Sequence, residues 1–324
     1  MSDMSDSVLV TGGAGYIGSH VAHALCRRGF RVVIVDDLSN GHVELVPAGA
    51  RLERADVTTQ GLLRALVDRE SVQAILHFVA RAMVGESVAR PDLYYETNLN
   101  ATLRVCEAAA ARRIPIVFSS SCSIFGEPKT LPITSDQACA PQSPYGASKW
   151  MCERIIADHA KAFGFDFAAL RYFNAAGADA AAHLFERHSP ESHLIPLAID
   201  AARGASGPLQ VFGTDWPTRD GTCVRDYVHV IDLADAHVRA LDHLLARGGS
   251  LRVNLGAGQG TSVKEVLDAV ARAVGRPVPH TLAPRRPGDV AELVADISAA
   301  RAQLDWQPHF SDIDRIVRDA VAVR

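Results

Sequence analysis

The sequence lacks most of what would carry a protein into a membrane or onto a nucleic acid. Its longest apolar stretch without a charge, around Ala74 to Ala80, is far short of the roughly 20 residues that cross a bilayer, so no membrane partner is expected. Basic side chains are not in excess. The chain has 33 Lys and Arg against 37 Asp and Glu, a net charge of −4, and no long basic run. That balance disfavours nucleic acids and anionic surfaces as partners. An anionic ligand must then be held by a few placed arginines and by backbone N–H groups. Six cysteines (Cys26, Cys106, Cys122, Cys139, Cys152 and Cys223) are scattered without a C-x-x-C or a zinc-like Cys/His spacing, as expected of reduced thiols in a cytoplasmic protein. The start, Met1-Ser2-Asp3-Met4-Ser5-Asp6, is acidic where a secretory signal is basic and then apolar. Aromatic residues make up only 6%, but 48% of the chain is hydrophobic and 22% charged, which is globular composition.

What is present is a long alternation of strand-like and helix-like segments. The 324 residues suit two domains, or one large α/β unit with an elaborated end. The patterns predict strands at Ser7–Thr11, Arg31–Val35, Gln73–Phe78, Ile114–Ser119 and Phe167–Arg171. Helices are predicted at Tyr16–Arg28, Gly61–Arg69, Tyr94–Ala111 and Tyr145–Phe163, the last bracketed by Pro144 and Gly164 as start and stop signals. Such alternation implies right-handed βαβ units and a parallel sheet covered on both faces. After Asn174 the pattern becomes irregular and turn-rich, then returns with a helix at Ile231–Leu245 and a strand at Arg252–Leu255. The expected division is a first domain over 1–176 with a returning segment at about 226–256. A smaller mixed α/β substrate domain then takes the remainder of 177–324, mainly 177–225 and 257–324.

Val8-Leu9-Val10-Thr11-Gly12-Gly13-Ala14-Gly15-Tyr16-Ile17-Gly18 places three spaced glycines after a strand and at the opening of a helix. In that context they serve a tight turn, a close backbone approach to a pyrophosphate, and close helix packing, with the phosphates on the helix N-terminus. This is the doubly wound, Rossmann-type reading, and it calls for a dinucleotide. The second strand runs into Val35-Asp36-Asp37; an acidic residue there accepts from a ribose 2′-OH and repels a 2′-phosphate, favouring NAD over NADP. Asp37 alternatively serves as a plain turn residue. Asp56-Val57 sits where a third strand would end, within reach of an adenine.

Tyr145 and Lys149 stand at i and i+4, one turn apart on one helix face. An ammonium beside a phenol lowers the phenol pKa. The strand ending in Ser119-Ser120-Ser121 brings hydroxyls toward the same place. Tyr as general base, Lys as its electrostatic partner and Ser as a proton-sharing hydroxyl make a coherent unit. A lone Tyr-x-x-x-Lys is more often a surface pair; it gains meaning here from the glycine loop and the Ser-ended strand.

With these residues the chain resembles the extended short-chain dehydrogenase/reductase family, and within it the UDP-glucose 4-epimerase (UDP-galactose 4-epimerase) family. The segments that carry the resemblance are Thr11 to His20, Val84-Gly85-Glu86-Ser87, Gln142-Ser143-Pro144-Tyr145-Gly146 with Lys149, Leu170-Arg171-Tyr172-Phe173-Asn174, Gly221 to His229, Asn254-Leu255-Gly256-Ala257-Gly258, and Ala283 to Asp289. The resemblance implies a catalytic set of Ser121, Tyr145 and Lys149. It implies an NAD site lined by Gly12, Gly15, Tyr16, Ile17, Gly18, Asp36, Asn40, Asp56, Val57, Phe78, Asn98 and Lys149. Ser121, Tyr145, Asn174, Leu194, Phe212, Arg225, Arg286 and Asp289 would hold a UDP-sugar. It further implies transient oxidation and re-reduction at C4, with NAD retained, no metal, and a homodimer built through the helices Tyr94–Ala111 and Met151–Phe163. Arginine suits a diphosphate through bidentate bonds, although an Arg pair in a loop is usually just solvated.

Several positions depart from the family pattern. Arg81-Ala82-Met83 precedes Val84-Gly85-Glu86-Ser87 where a Lys is common, Phe125 replaces a Tyr before Gly126, and Ser192-His193-Leu194 stands over the sugar. His183, His188 and His193, five apart, are read as part of a substrate loop rather than as a metal site, since the implied catalysis needs no metal. Sister dehydratases carry carboxyl groups after the strand-ending hydroxyl. Here those positions are Cys122 and Ser123, which cannot act as a carboxylic acid or a carboxylate base, so dehydration is disfavoured. The resemblance implies that Leu293 borders the sugar's C2 substituent, where a Tyr in relatives excludes N-acetyl sugars; Leu is the shorter residue. UDP-glucose and UDP-galactose are the expected substrates, with another UDP-sugar or a related oxidoreduction as the alternative.

Overall fold

The computed structural model describes residues 6–324 apart from Pro287. Its centre is a seven-stranded, all-parallel sheet. Six strands come from the first half: β1 (Ser7–Thr11), β2 (Arg31–Asp36), β3 (Arg51–Arg54), β4 (Val72–His77), β5 (Ile116–Ser121) and β6 (Phe167–Tyr172). The seventh, Leu251–Leu255, returns from the second half beside β6. The spatial order is β3-β2-β1-β4-β5-β6 followed by that seventh strand, the doubly wound order whose reversal between β1 and β4 opens a crevice at the strand C-termini.

The strands are apolar throughout, as strands buried on both faces must be. Val8 and Val10 point into one core and Leu9 into the other, by the alternation of a pleated strand. On the first face lie α1 (Tyr16–Arg27) and the helix Val230–Ala246, packed against one another. On the second face α2 (Leu62–Arg69), α4 (Pro91–Arg112) and α5 (Pro144–Phe163) pack together, with the short α3 (Val84–Ala89) against α4 and α5. A third apolar cluster lies away from the sheet. It joins α6 (Leu194–Arg203), Val211, and the helices Val263–Val274 and Ile313–Val323. Three small sheets surround it, pairing Asn174–Ala176 with Tyr227–His229, Leu209–Phe212 with His280–Ala283, and Val224–Arg225 with Thr261–Ser262 and Glu292–Leu293.

Most expected elements form with shifted ends. β5 begins at Ile116 rather than Ile114 and runs on to Ser121, because Ile116 pairs with Phe167 and the pairing continues to Ser121 opposite Tyr172. The hydroxyl that ends the strand is therefore that of Ser121. β3 stops at Arg54, leaving Asp56 two residues past its end. α5 starts at Pro144, where the ring fixes φ and removes an N–H that has no helical partner, and Ser143 caps it by accepting from the Gly146 amide.

Candidate active site

The glycine loop closes the C-terminal end of β1 and feeds α1. Gly12 has φ +73°, and a Cβ there would meet the Val79 backbone nitrogen at 2.8 Å, because the loop after β4 lies against it. A Cβ on Gly18 would collide with the Gly12 carbonyl oxygen. Gly15 caps α1 and carries no side chain to bond its first amides, so those N–H groups stay available to an anion. Tyr16 is buried and donates to the Gly177 carbonyl at 2.7 Å, and Ile17 packs on the sheet core. The end of β2 faces the same loop. Asp36 is buried, and its carboxylate accepts from the Ala14 and Leu38 amides at 3.0 and 2.9 Å. Burial raises its pKa while those amides pull it down. Asp37 is exposed and accepts from the Ser39 amide and hydroxyl: it is the turn residue.

Around this crevice the other expected cofactor residues take different places. Asn40 is exposed in the loop after β2, and Asp56 is exposed, capping a turn through the Thr58 amide and hydroxyl. Val57 is buried beside β2. Phe78 packs against His237 with ring centroids 4.9 Å apart. Asn98 is buried, and its carboxamide is engaged by the Arg81 backbone and by Ser148. It fixes the segment leading into α3. Arg81, where a Lys was the common residue, lies 3.6 Å from Glu86.

Ser121, Tyr145 and Lys149 come together where β5 ends and α5 begins. Tyr145 meets Tyr94 edge-on, with ring centroids 6.4 Å apart. Its phenol is pushed up to about 12 by burial, with the Ser121 hydroxyl pulling the other way. The phenol therefore stands above its ordinary value, because burial outweighs the lowering influences around it. The Lys149 ammonium donates to the Ser119 carbonyl at 2.7 Å and sits 5.0 Å from the Phe118 ring centroid, and burial brings it down to about 8. Cys122, next along, is a buried thiol pushed up to about 12. Neither it nor Ser123 offers a carboxyl group.

Among the expected sugar-nucleotide residues, four converge. Asp289 lies between two arginines, 3.0 Å from Arg286 Nε and 3.8 Å from Arg225 Nη2. The Arg286 guanidinium lies 4.8 Å from the Phe212 ring centroid. Arg225 is close enough to Cys122 for its charge to oppose the burial shift of that thiol, which ties this cluster to the end of β5. Leu293 pairs with Arg225 in the parallel register. Asn174 and Leu194 instead line a cavity farther along, with Gly177, Tyr227 and His193.

The model of the NAD dependent epimerase/dehydratase family matches residues 8–256. The chain belongs to that family. Within it, the chain is 48% identical over 317 residues to the UDP-glucose 4-epimerase of Rhizobium meliloti (strain 1021), covering 98% of this chain and 96% of that one. A UDP-glucose 4-epimerase of Brucella ovis, solved in complex with NAD, superposes with a TM-score of 0.95 at 44% identity, covering 98% of both chains. A second, from Bifidobacterium longum in complex with NAD+ and UDP, gives 0.92 at 36% identity, covering 98% of this chain and 97% of that one. Family membership accounts for the glycine loop, which fits a dinucleotide pyrophosphate on the geometry above.

Sequence reasoning missed several supporting groups. Glu153 and Arg171 form a bidentate pair under the site, at 2.8 and 2.9 Å, both buried, with Ser120 donating to the same carboxylate. Asp226 is fully buried and accepts from the amides of Ala257, Gly258 and Ala295; burial raises it to about 6. A charged residue on an α5 face or in a strand motif gives no sign in sequence of which distant partner neutralises it. His183, His188 and His193 do not meet as a set. His188 and His193 converge on Glu186, while His183 lies apart at the end of a short turn.

Proposed function

We propose that this protein interconverts UDP-glucose and UDP-galactose by inverting C4 of the sugar through transient oxidation and re-reduction. The observation that carries this reading is the pairing of Tyr145 with Ser121 at the mouth of the crevice, with no carboxyl group at Cys122 or Ser123. That set can move a proton on and off one hydroxyl, and it has no residue to eliminate a second. Residues 1–176 with about 226–256 would hold NAD, and 177–225 with 257–324 the nucleotide sugar.

The amides at the start of α1 and Gly12, Gly15 and Gly18 would cradle the NAD pyrophosphate, with Asp36 on the adenosine ribose. NAD, when bound, supplies the acceptor and donor for the C4 hydrogen. Tyr145 as phenolate takes the 4-OH proton beside Ser121 and later returns it. Lys149 presents its ammonium at the base of the same pocket. Arg225 and Arg286, spaced by Asp289, would hold the diphosphate while the sugar turns to present its other face. We also assign a homodimer, a place in galactose metabolism and a cytoplasmic setting. Support for the dimer comes from Trp150, Met151 and Phe163, which leave apolar surface exposed along α5. The test is incubation with a panel of UDP-sugars without added cofactor, followed by chromatographic separation of the epimers. UDP-galactose should appear from UDP-glucose with no net NADH. No conversion, or turnover only with stoichiometric NADH, would overturn the reading.

A further inference from the structure

We propose that Glu186, His188, Glu191 and His193 form a zinc site that clamps the segment in front of α6, beside the start of α1. One ligand atom from each of the four lies within 4.8 Å of every other. The two imidazoles approach with the same nitrogen. His188 Nδ1 is 2.8 Å and His193 Nδ1 2.5 Å from Glu186 Oε1, and His193 Nδ1 is 3.4 Å from Glu191 Oε1. A tetrahedral ion with legs of about 2.0–2.2 Å separates its ligands by roughly 3.3–3.6 Å. Two of these spacings are shorter than that edge and one falls within it, so the two rings would have to move outward by up to about 1 Å to admit the ion.

The donor set selects the metal. Two imidazole nitrogens and two carboxylates suit zinc, whereas calcium and magnesium take six or more oxygens. The ligands are supported as metal ligands usually are. Glu191 is oriented by Arg324 at 2.9 Å and by the amides of Ser192 and His193. Glu186 is buried. The cluster also lies where a fastening has consequences. His188 meets the Tyr16 ring edge-on at 6.4 Å, Tyr16 bonds the Gly177 carbonyl, and His42 lies 2.9 Å from the Arg187 carbonyl. None of the four belongs to the Ser121, Tyr145 and Lys149 group, and four side-chain ligands fill a tetrahedral ion, so the ion would hold in place the loop whose His193 and Leu194 line the adjoining cavity. All four ligands fall within eight residues, a local clamp on the loop that delivers Leu194.

The competing account is a metal-free hydrogen-bonded cluster in which both rings bond one carboxylate. The experiment strips the protein with a chelator, adds one equivalent of ZnCl₂, removes excess by gel filtration, and measures retained metal by elemental analysis together with the melting temperature. We expect one zinc per chain and a rise of roughly 5 °C on reloading. The double variant His188→Ala/His193→Ala should retain none and show no rise, while His183→Ala should retain the full equivalent. Glu186→Gln, of the same size, should weaken affinity at least tenfold in a chelator competition. Wild-type protein that keeps no zinc after gel filtration overturns the proposal without recourse to any variant. So does equal retention by the double variant, since the zinc would then sit elsewhere.

Discussion

Replacing Tyr145 with Phe removes one oxygen and leaves the ring. The edge-on contact with Tyr94 at 6.4 Å is a ring contact, so the packing at the start of α5 should survive. The glycine loop and Asp36 lie on other elements, so NAD content should survive as well. What goes is the group proposed to carry the proton. With the phenol pushed up to about 12, roughly one molecule in 10⁴ holds a phenolate at pH 8 in the cofactor-free protein. A cationic nicotinamide brought beside the phenol should favour the phenolate. A positioned base contributes about 10²–10⁴-fold, so kcat should fall by that factor, about 3–5 kcal/mol in activation free energy. The assay is chromatographic epimer separation, with NAD quantified after acid release. A companion titration follows phenolate absorbance as the difference between wild type and Tyr145→Phe. Its midpoint should sit near pH 12 without cofactor and well below it with NAD bound. Turnover within tenfold of wild type, at unchanged NAD content, would refute the assignment.

Other perturbations test other parts. Asp36→Ala should relax the preference against NADP while also loosening the glycine loop, since its carboxylate accepts from Ala14 and Leu38; unchanged discrimination in a cofactor-exchange assay removes Asp36 from the ribose site. Arg171→Met strands Glu153 in a buried position and should cost about 3–5 kcal/mol in urea unfolding, with a loss below 1 kcal/mol counting against the pair. Leu293→Tyr should suppress, and Leu293→Ser raise, turnover of UDP-N-acetylgalactosamine by about 10–200-fold relative to UDP-galactose; no response in kcat/KM means Leu293 does not border C2. In the cofactor-free protein Lys149 is brought down to about 8 by burial, so the unfolded chain binds more protons between pH 8 and the ordinary lysine value. Stability from this group must therefore rise with pH over that window, by at most about 3 kcal/mol, and Lys149→Met should flatten the rise in thermal melts compared with wild type.

The parts of this protein that could be read from sequence are those governed by neighbours in sequence. Gly12, Gly15 and Gly18 work within one βα turn, and Tyr145 and Lys149 within one helical turn, so their spacing carries their geometry. Parallel strands buried on both faces announce themselves as Val and Ile runs. What escaped is set by partners far along the chain. Lys149 finds Ser119 thirty residues upstream, and burial under distant segments, not a helix neighbour, sets the direction of the Tyr145 shift. Asp226 organises Ala257, Gly258 and Ala295, and nothing in its own segment points there. The three histidines, five apart, were legible only as part of one loop; that His188 and His193 converge on Glu186 while His183 lies apart depends on how the loop folds.

The cluster of Arg225, Asp289 and Arg286 shows how such long-range placement can prepare a site. Two guanidinium groups aimed at one diphosphate would repel each other before the ligand arrives. Asp289 sits between them and leaves one positive charge in excess, while Phe212 supports the Arg286 guanidinium from its face. Charges held in place by such contacts lose less freedom on binding than freely solvated ones. A diphosphate would then compete with Asp289 for the same N–H groups. Removing that competitor should help the ligand electrostatically and harm it geometrically. Asp289→Asn keeps the spacer and removes its charge, so it should bind UDP more tightly than wild type. Asp289→Ala removes both, so it should bind UDP more weakly than Asp289→Asn. Calorimetric titration with UDP separates the two effects, and equal affinities for the two variants would mean that Asp289 does not position the arginines.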